Sequence, residues 1–301
     1  MLSSVAVLSG KKQILNNHFL LQILQGQLAG KVIRDAMAGQ AISRITLEKI
    51  NKFTFRLPSC PEQTKIANFL TAVDEKISQL TQKHALLTQY KKGVMQQIFS
   101  QTLRFKDNDG REFPEWEVVA LGNVAKLKNG YAFKSESYTP SGDYRIITIA
   151  NVQAGYMETE KYSHIESLPD DIQSHQILKK SDIVVSMTGN VGRVCKVNSE
   201  NCLLNQRVGK FVVNGIINQF LFVSLNQTKF LKEMELVAQG GAQKNIGVKD
   251  IENYQLPLPC LEEQTKIAQF LTALDDKLAA TQAQLNGVKQ YKQGLLQQLF
   301  V

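Results

Sequence analysis

The chain has 301 residues, 43% of them hydrophobic, a length and composition that allow a folded protein of two domains. It contains no run of about 18 apolar residues, so no membrane span is expected, and residues 1–10 lack the basic stretch of an export signal. The net charge of +8 is gathered early, with eight Lys/Arg against two Asp/Glu in residues 1–60, a bias that suits a nucleic-acid partner without establishing one.

Residues 1–60 carry apolar stretches at 19–24 and 45–55. Pro61 and Glu62 then suit a helix start, because proline is tolerated in the first turn and an acid favours the positive end of the dipole. Apolar positions follow at Ile66, Leu70, Val73, Ile77, Leu80, Leu87, Val94 and Ile98, with His84 and Lys91 completing alternating steps of four and three. That heptad pattern predicts a coiled-coil helix. Residues 113–260 differ, with short β-branched runs at Tyr144-Arg-Ile-Ile-Thr-Ile149, Ile183-Val-Val-Ser-Met187 and Lys210-Phe-Val-Val213. Turn signals separate them at Asn129-Gly130, Ser141-Gly142, Thr188-Gly189-Asn190 and Gly240-Gly241, and residues 220–225 and 227–238 read as helices. A second heptad helix closes the chain through Ile267, Leu271, Leu274, Leu278, Thr281, Leu285, Val288, Lys292, Leu295 and Leu299. A helix of about 38 residues is about 57 Å long, and two of them are expected to pack antiparallel. Lys91 and Lys292 occupy the same seam place, where a lysine either fixes register and partner choice or snorkels out.

An internal repeat organises these elements. Glu62-Gln-Thr-Lys-Ile-Ala67 recurs as Glu263-Gln-Thr-Lys-Ile-Ala268, and the offset of 201 holds without a gap between residues 17–100 and 218–301, with 30 of 84 pairs identical. The expected class is α+β. It comprises a partial domain at 1–60, a long helix and linker at 61–112, a complete mixed α/β domain at 113–260 and a second long helix at 261–301. Residues 17–60 duplicate the last third of the complete domain. Their apolar surface is therefore expected to be covered by a partner or a second copy. Cys60, Cys195, Cys202 and Cys260 show neither CxxC spacing nor a disulfide framework, as free thiols of a reducing cytoplasm would.

The complete domain opens on Phe113-Pro-Glu-Trp-Glu117, Leu121-Gly122 and Asn129-Gly-Tyr-Ala-Phe133. It continues through Ser186-Met-Thr-Gly-Asn-Val-Gly-Arg193 and Leu204-Asn-Gln-Arg207 to Leu256-Pro-Leu-Pro-Cys-Leu-Glu-Glu-Gln264 and Phe270-Leu-Thr-Ala-Leu-Asp275. Over essentially the whole chain this resembles the specificity subunits of type I restriction–modification systems. The resemblance implies a non-catalytic protein whose target-recognition domains each read half of a bipartite duplex sequence. It also implies paired helices that set the gap and dock two methyltransferase subunits, with motor–nuclease subunits added for restriction. S-adenosylmethionine, ATP and magnesium are then expected on those partners and no cofactor on this chain. The family normally has two complete recognition domains and here one is complete; two copies pairing, or a separate gene fragment bringing the missing front, would supply the second.

Catalytic signatures are absent from the sequence: no Asn/Asp-Pro-Pro-aromatic box, no GxxxxGK[ST] loop, and no ligand spacing among His18, His84, His164 and His175. Base reading calls for Arg or Lys on guanine and Asn or Gln on adenine, presented from loops. The candidates are Lys128, Asn129, Tyr131 and Lys134; Asn190 and Arg193; Asn205, Gln206 and Arg207; and Gln239, Gln243, Lys244 and Asn245. The acidic run at 158–171 is expected to face away from phosphate. The competing class is a coiled-coil scaffold whose globular domain binds protein.

Overall fold

A computed structural model describes residues 7–37, 45–240 and 244–300. The chain forms two compact units, Met1–Gly93 with Leu274–Val301, and Val94–Ala273. The repeat is plain in the helices. Helices α1 (Asn17–Gln25), α2 (Gln27–Met37), α3 (Leu47–Asn51) and α4 (Cys60–Phe99) begin 201 residues before α5 (Asn218–Leu225), α6 (Thr228–Val237), α7 (Val248–Glu252) and α8 (Leu261–Leu299).

A buried glutamine holds each copy of this tail together. Gln63 and Gln264 are both 1% exposed. Gln63 Oε1 accepts the Asn16 N–H at 2.9 Å while its Nε2 donates to the Pro58 carbonyl at 2.9 Å. Gln264 does the same with Ile217 N–H at 2.9 Å and the Pro259 carbonyl at 2.8 Å. Each amide thus ties the backbone ahead of a short helix to the backbone just before a long one, and Gln63 Nε2 donates to the Ile14 carbonyl as well, at 2.9 Å.

In the first unit, Phe19, Ile23 and Ala67 form a small core with Phe55 and Phe300 against it; the Phe19 and Phe300 rings meet edge-on at 5.3 Å. The long helices run antiparallel there. Lys91 pairs with Asp275, and Lys292 pairs with Asp74 at 2.6 Å, so seventeen residues up one helix match seventeen down the other. The two ion pairs are counterparts under the repeat. Of the expected seam, Leu70, Val73, Leu80, Ile267, Leu271, Leu274 and Leu285 are buried and Ile66, Ile77, Leu87, Lys91, Leu278 and Lys292 half-buried. The end of α8 departs from the pattern: Leu299 is 40% exposed and Leu296 is buried instead. An α-helix drifts about 20° per heptad from a strict seven-residue repeat, which is enough to hand the seam to a neighbour after four heptads.

The ion pairs make the two sides of the seam unequal. The lysines keep 23% and 12% of their side chains exposed and their acids 42% and 36%. Lys91→Leu with Lys292→Leu should leave stability within about 1 kcal/mol of the parent, since the stranded aspartates stay hydrated and leucine adds apolar burial. Asp74→Ala with Asp275→Ala should cost about 1–2 kcal/mol by taking the carboxylate from both ammonium groups on the seam, Lys292 keeping the Gln25 amide oxygen. Thermal unfolding of the two double variants measures the contrast.

The second unit carries the sheets. Strand β1 (Glu117–Ala120) pairs antiparallel with a strand at Gln255–Leu258, Glu117 opposite Leu258. Between them lie β2 (Ala125–Asn129), β3 (Tyr144–Ile147), β4 (Ser163–Ile165), β5 (Ile177–Leu178), β6 (Ile183–Ser186), β7 (Val194–Lys196), β8 (Cys202–Leu204) and β9 (Val208–Val213), with Gln255–Leu258 as β10. One sheet has the order β2-β9-β6-β7 and is antiparallel; the other has the order β4-β3-β8-β5, with β3 and β8 parallel. All four residues of β6 are buried, which explains its unbroken apolar run as a strand covered on both faces. Val184, Cys195, Leu204 and Val208 share its core with Ile147 and Leu178. The Cys195 and Cys202 thiols are pushed up by burial, to about 12 and about 11. Strand β3 stops at Ile147, short of the expected Ile149, because Asn151 Oδ1 accepts the Thr148 N–H at 3.0 Å and its hydroxyl at 2.9 Å.

The opening of this unit is fastened to α8. Glu263, fully buried, accepts Arg104 Nε at 3.0 Å, Arg104 Nη2 at 2.9 Å and Trp116 Nε1 at 3.0 Å. This pairing raises the Arg104 pKa above the usual guanidinium value. Trp116 also stands edge-on to Phe99 and Phe220, at 6.1 and 6.0 Å.

Candidate nucleic-acid interface

Four stretches of the second unit are tied to one another by backbone hydrogen bonds: 129–131 after β2, 187–190 after β6, 205–207 between β8 and β9, and 244–246. Tyr131 N–H donates to the Leu204 carbonyl at 2.7 Å and Gln206 N–H to the Tyr131 carbonyl at 2.9 Å. Met187 N–H reaches the Arg207 carbonyl at 3.0 Å, Gly189 N–H the Lys244 carbonyl at 2.9 Å, and Ile246 N–H the Met187 carbonyl at 2.9 Å. Thr188 Oγ1 adds a side-chain bond to Asn245 Oδ1 at 2.8 Å. Stretches 129–131 and 205–207 meet only because residue 130 is glycine: a Cβ there would lie 2.2 Å from the Asn205 carbonyl oxygen.

These ties frame an open cleft of about 590 Å³, with Asn129, Gln206, Arg207 and Asn245 on its walls and Ala132, Met187, Ile246 and Val248 between them. Four of the residues chosen by type thus come together. Arg207 is exposed and, among the described residues, has no acidic partner. Lys128, Lys134 and Lys244 are likewise exposed without an acid among the described residues, though none of them lines the cleft. Amide and guanidinium groups held on a braced frame suit hydrogen bonding to base edges, since little ordering remains to be done on binding.

The other candidates are placed differently. Asn205 accepts the Arg207 N–H at 3.2 Å on its Oδ1 and so shapes the turn. Asn190 is exposed, and its carbonyl takes the Ser186 hydroxyl. Arg193 is half-buried, with Nη1 on Gln153 Oε1 at 2.5 Å; a contact forty residues away holds this guanidinium. Gln239 is exposed and away from the cleft lining, and Gln243 lies outside the described residues. The acidic run was expected to face away from the DNA-reading side, yet it touches one of the candidate loops. The Tyr131 hydroxyl donates to Asp171 Oδ1 at 2.6 Å, which raises the phenol's pKa. His175 Nε2 lies 3.1 Å from the Asn129 carbonyl oxygen. The apolar lining from Met187, Ile246 and Val248 was not singled out by sequence, because no polar residue type advertises it.

The family model for the type I restriction modification DNA specificity domain matches residues 1–89 and 114–290, most of the chain. The chain belongs to that family. The specificity subunit of the type I restriction enzyme MjaVIII from Methanocaldococcus jannaschii is 28% identical over 98% of this chain and 72% of its own length. That of EcoAI from Escherichia coli is 34% identical over 54% of this chain and 29% of its own. Among solved structures, a type I S subunit from M. genitalium superposes with a TM-score of 0.63 over 97% of this chain and 74% of that one, at 18% identity, which bears on the fold alone. Specificity subunits are the non-catalytic members of these systems. In this specificity-family chain the candidate cleft falls inside the second matched stretch, and the first covers the repeated tail with most of α4. No described helix is long and apolar enough to cross a membrane.

Proposed function

We propose that this chain is the sequence-reading subunit of a type I restriction–modification complex and directs partner enzymes to a bipartite duplex target. The observation that carries the reading is the braced cleft with Asn129, Gln206, Arg207 and Asn245 on its walls, in a chain of the DNA-specificity family. Arginine pairs well with guanine and the amides with adenine, while Lys128, Lys134 and Lys244 supply phosphate contacts around them.

In this reading, residues 113–260 are the complete target-recognition domain and 1–60 the tail of another. Residues 61–112 and 261–301 hold the spacer helices, the longer of them about 60 Å for its 40 residues. The helices dock methyltransferase subunits, and a motor–nuclease subunit joins for restriction. Methyl transfer and cleavage belong to those partners, so S-adenosylmethionine, ATP and magnesium bind there and this chain needs no cofactor. The complex works in the cytoplasm, with the chromosome.

Competition binding tests the proposal. The chain assembled with its methyltransferase should prefer a duplex bearing the methylated sequence over a scrambled one by about a thousandfold or more at physiological salt. Equal affinity for the two duplexes would overturn it.

A further inference from the structure

Segment 171–176 lines no part of the cleft, yet it bonds twice to the stretch that carries Asn129. The Tyr131 hydroxyl donates to Asp171 Oδ1 at 2.6 Å, and His175 Nε2 donates to the Asn129 carbonyl at 3.1 Å, since that oxygen can only accept. The sheet explains the meeting. Strand β5 continues from this segment and pairs antiparallel with β8, Ile177 opposite Leu203, so the segment sits at the same end of the sheet as residues 205–207. Those residues hold the stretch through its backbone, and segment 171–176 adds two side chains. The segment is itself well fastened: Gln176 is buried, its Oε1 accepts the Gln173 N–H at 2.9 Å and its own N–H reaches the Gln173 carbonyl at 2.8 Å. Ile172 and Ile177 pack with Phe133 against the core of Ile146, Ile165 and Leu203, and the Tyr131 and Phe133 rings lie 4.9 Å apart.

Asn129 is exposed on the cleft wall while its own carbonyl is held. Fixing the backbone at a residue limits where its side chain can reach, and a group ordered beforehand gives up less freedom on binding. As a bare charge, Asp171 would oppose a polyanion whatever its sequence. As an acceptor for the phenol, it adds order to the stretch that presents Asn129. We propose that Asp171 and His175 are positioning residues, a clasp that holds stretch 129–131 in the presentation from which Asn129 reads its base. Tyr131 is then the other half of the clasp and not a contact to DNA. The inference rests on the base reading by Asn129 proposed above, and the variants below separate the failure of one from the failure of the other.

The chain assembled with its methyltransferase is titrated by anisotropy against three fluorescein-labelled duplexes. One bears the methylated motif, one the motif changed at the base pair where Asn129→Ala relaxes preference, and one a scrambled sequence. The parent should favour the motif over the changed duplex by about tenfold to a hundredfold. Asp171→Ala, His175→Ala and Tyr131→Phe should each cut that ratio about threefold to tenfold and keep the preference at other base pairs. Asp171→Asn, whose amide oxygen still accepts from the phenol, should recover most of the ratio. It loses the same charge as Asp171→Ala, so the two should bind the scrambled duplex alike. In the Asp171→Ala background, Tyr131→Phe should cost nothing further. Asp171 is exposed, so the fold survives its replacement. If Asn129→Ala relaxes one base pair while Asp171→Ala and His175→Ala relax none, the clasp is overturned and the reading stands. An equal loss at every base pair, or an Asp171→Asn no better than Asp171→Ala, would overturn the clasp as well. So would a Tyr131→Phe that costs the same with and without Asp171, which would put the hydroxyl on DNA. An Asn129→Ala that relaxes no base pair would overturn the reading by Asn129 and the clasp with it.

Discussion

Glu263→Gln should destabilise the second unit by about 2–4 kcal/mol, while Glu62→Gln, the same change at the repeat-related position, should stay within about 0.5 kcal/mol of the parent. Glu263 is fully buried and its two oxygens receive three donors, two from Arg104 and one from Trp116. The amide keeps an oxygen for Trp116 but replaces the other acceptor with donors facing a guanidinium. Arg104 retains 22% side-chain exposure, which lets water offset part of the loss and keeps the cost below that of a wholly buried pair. Glu62 is exposed, with no ion pair among the described residues. The measurement is urea unfolding followed by tryptophan fluorescence: Trp116 is the chain's sole tryptophan and sits on the bond in question. Equal costs at the two positions would show that burial does not set the value of this carboxylate.

Arg207→Ala and Gln206→Ala should each weaken binding to the cognate duplex by about 1–3 kcal/mol, roughly tenfold to a hundredfold, and relax the sequence preference at one base pair. Both side chains are exposed on the cleft, so thermal stability should not change. Lys128→Ala should instead weaken cognate and scrambled duplexes alike and lower the salt slope by about one, as loss of a phosphate contact does. Arg193→Ala should leave sequence preference intact, because Gln153 already holds its guanidinium. Anisotropy titrations at several salt concentrations separate these outcomes. A uniform loss from Arg207→Ala would move that residue from base reading to phosphate contact.

The long helices were legible because their signal is local. A seam spaced by fours and threes needs no knowledge of the partner, and Leu70, Leu80, Leu271 and Leu285 are buried as that spacing requires. The repeat was legible for the same reason, although the short helices α3 and α7 that it also relates were not expected from sequence. Partners distant in sequence were not. Nothing near Arg193 announces Gln153, and nothing in the acidic run announces that Asp171 takes the Tyr131 hydroxyl. Residue type alone put Arg193, Asn205 and Arg207 in one class, and only the fold separates a held arginine and a turn-forming asparagine from an arginine exposed on the cleft without an acidic partner among the described residues. Glu62 and Glu263 make the point most sharply: identical hexapeptides surround them, and their environments are opposite.

The central claim is that this chain selects DNA sequence and leaves the chemistry to partners. The most direct test maps methylated adenines in cells carrying the methyltransferase with the parent chain, with its Arg207→Ala variant, or with no such chain. Methylation at one bipartite motif that appears only with the chain, and becomes degenerate at one position with the variant, is the predicted result. The same motif methylated with and without the chain, or methyl transfer by the purified chain alone, would contradict it.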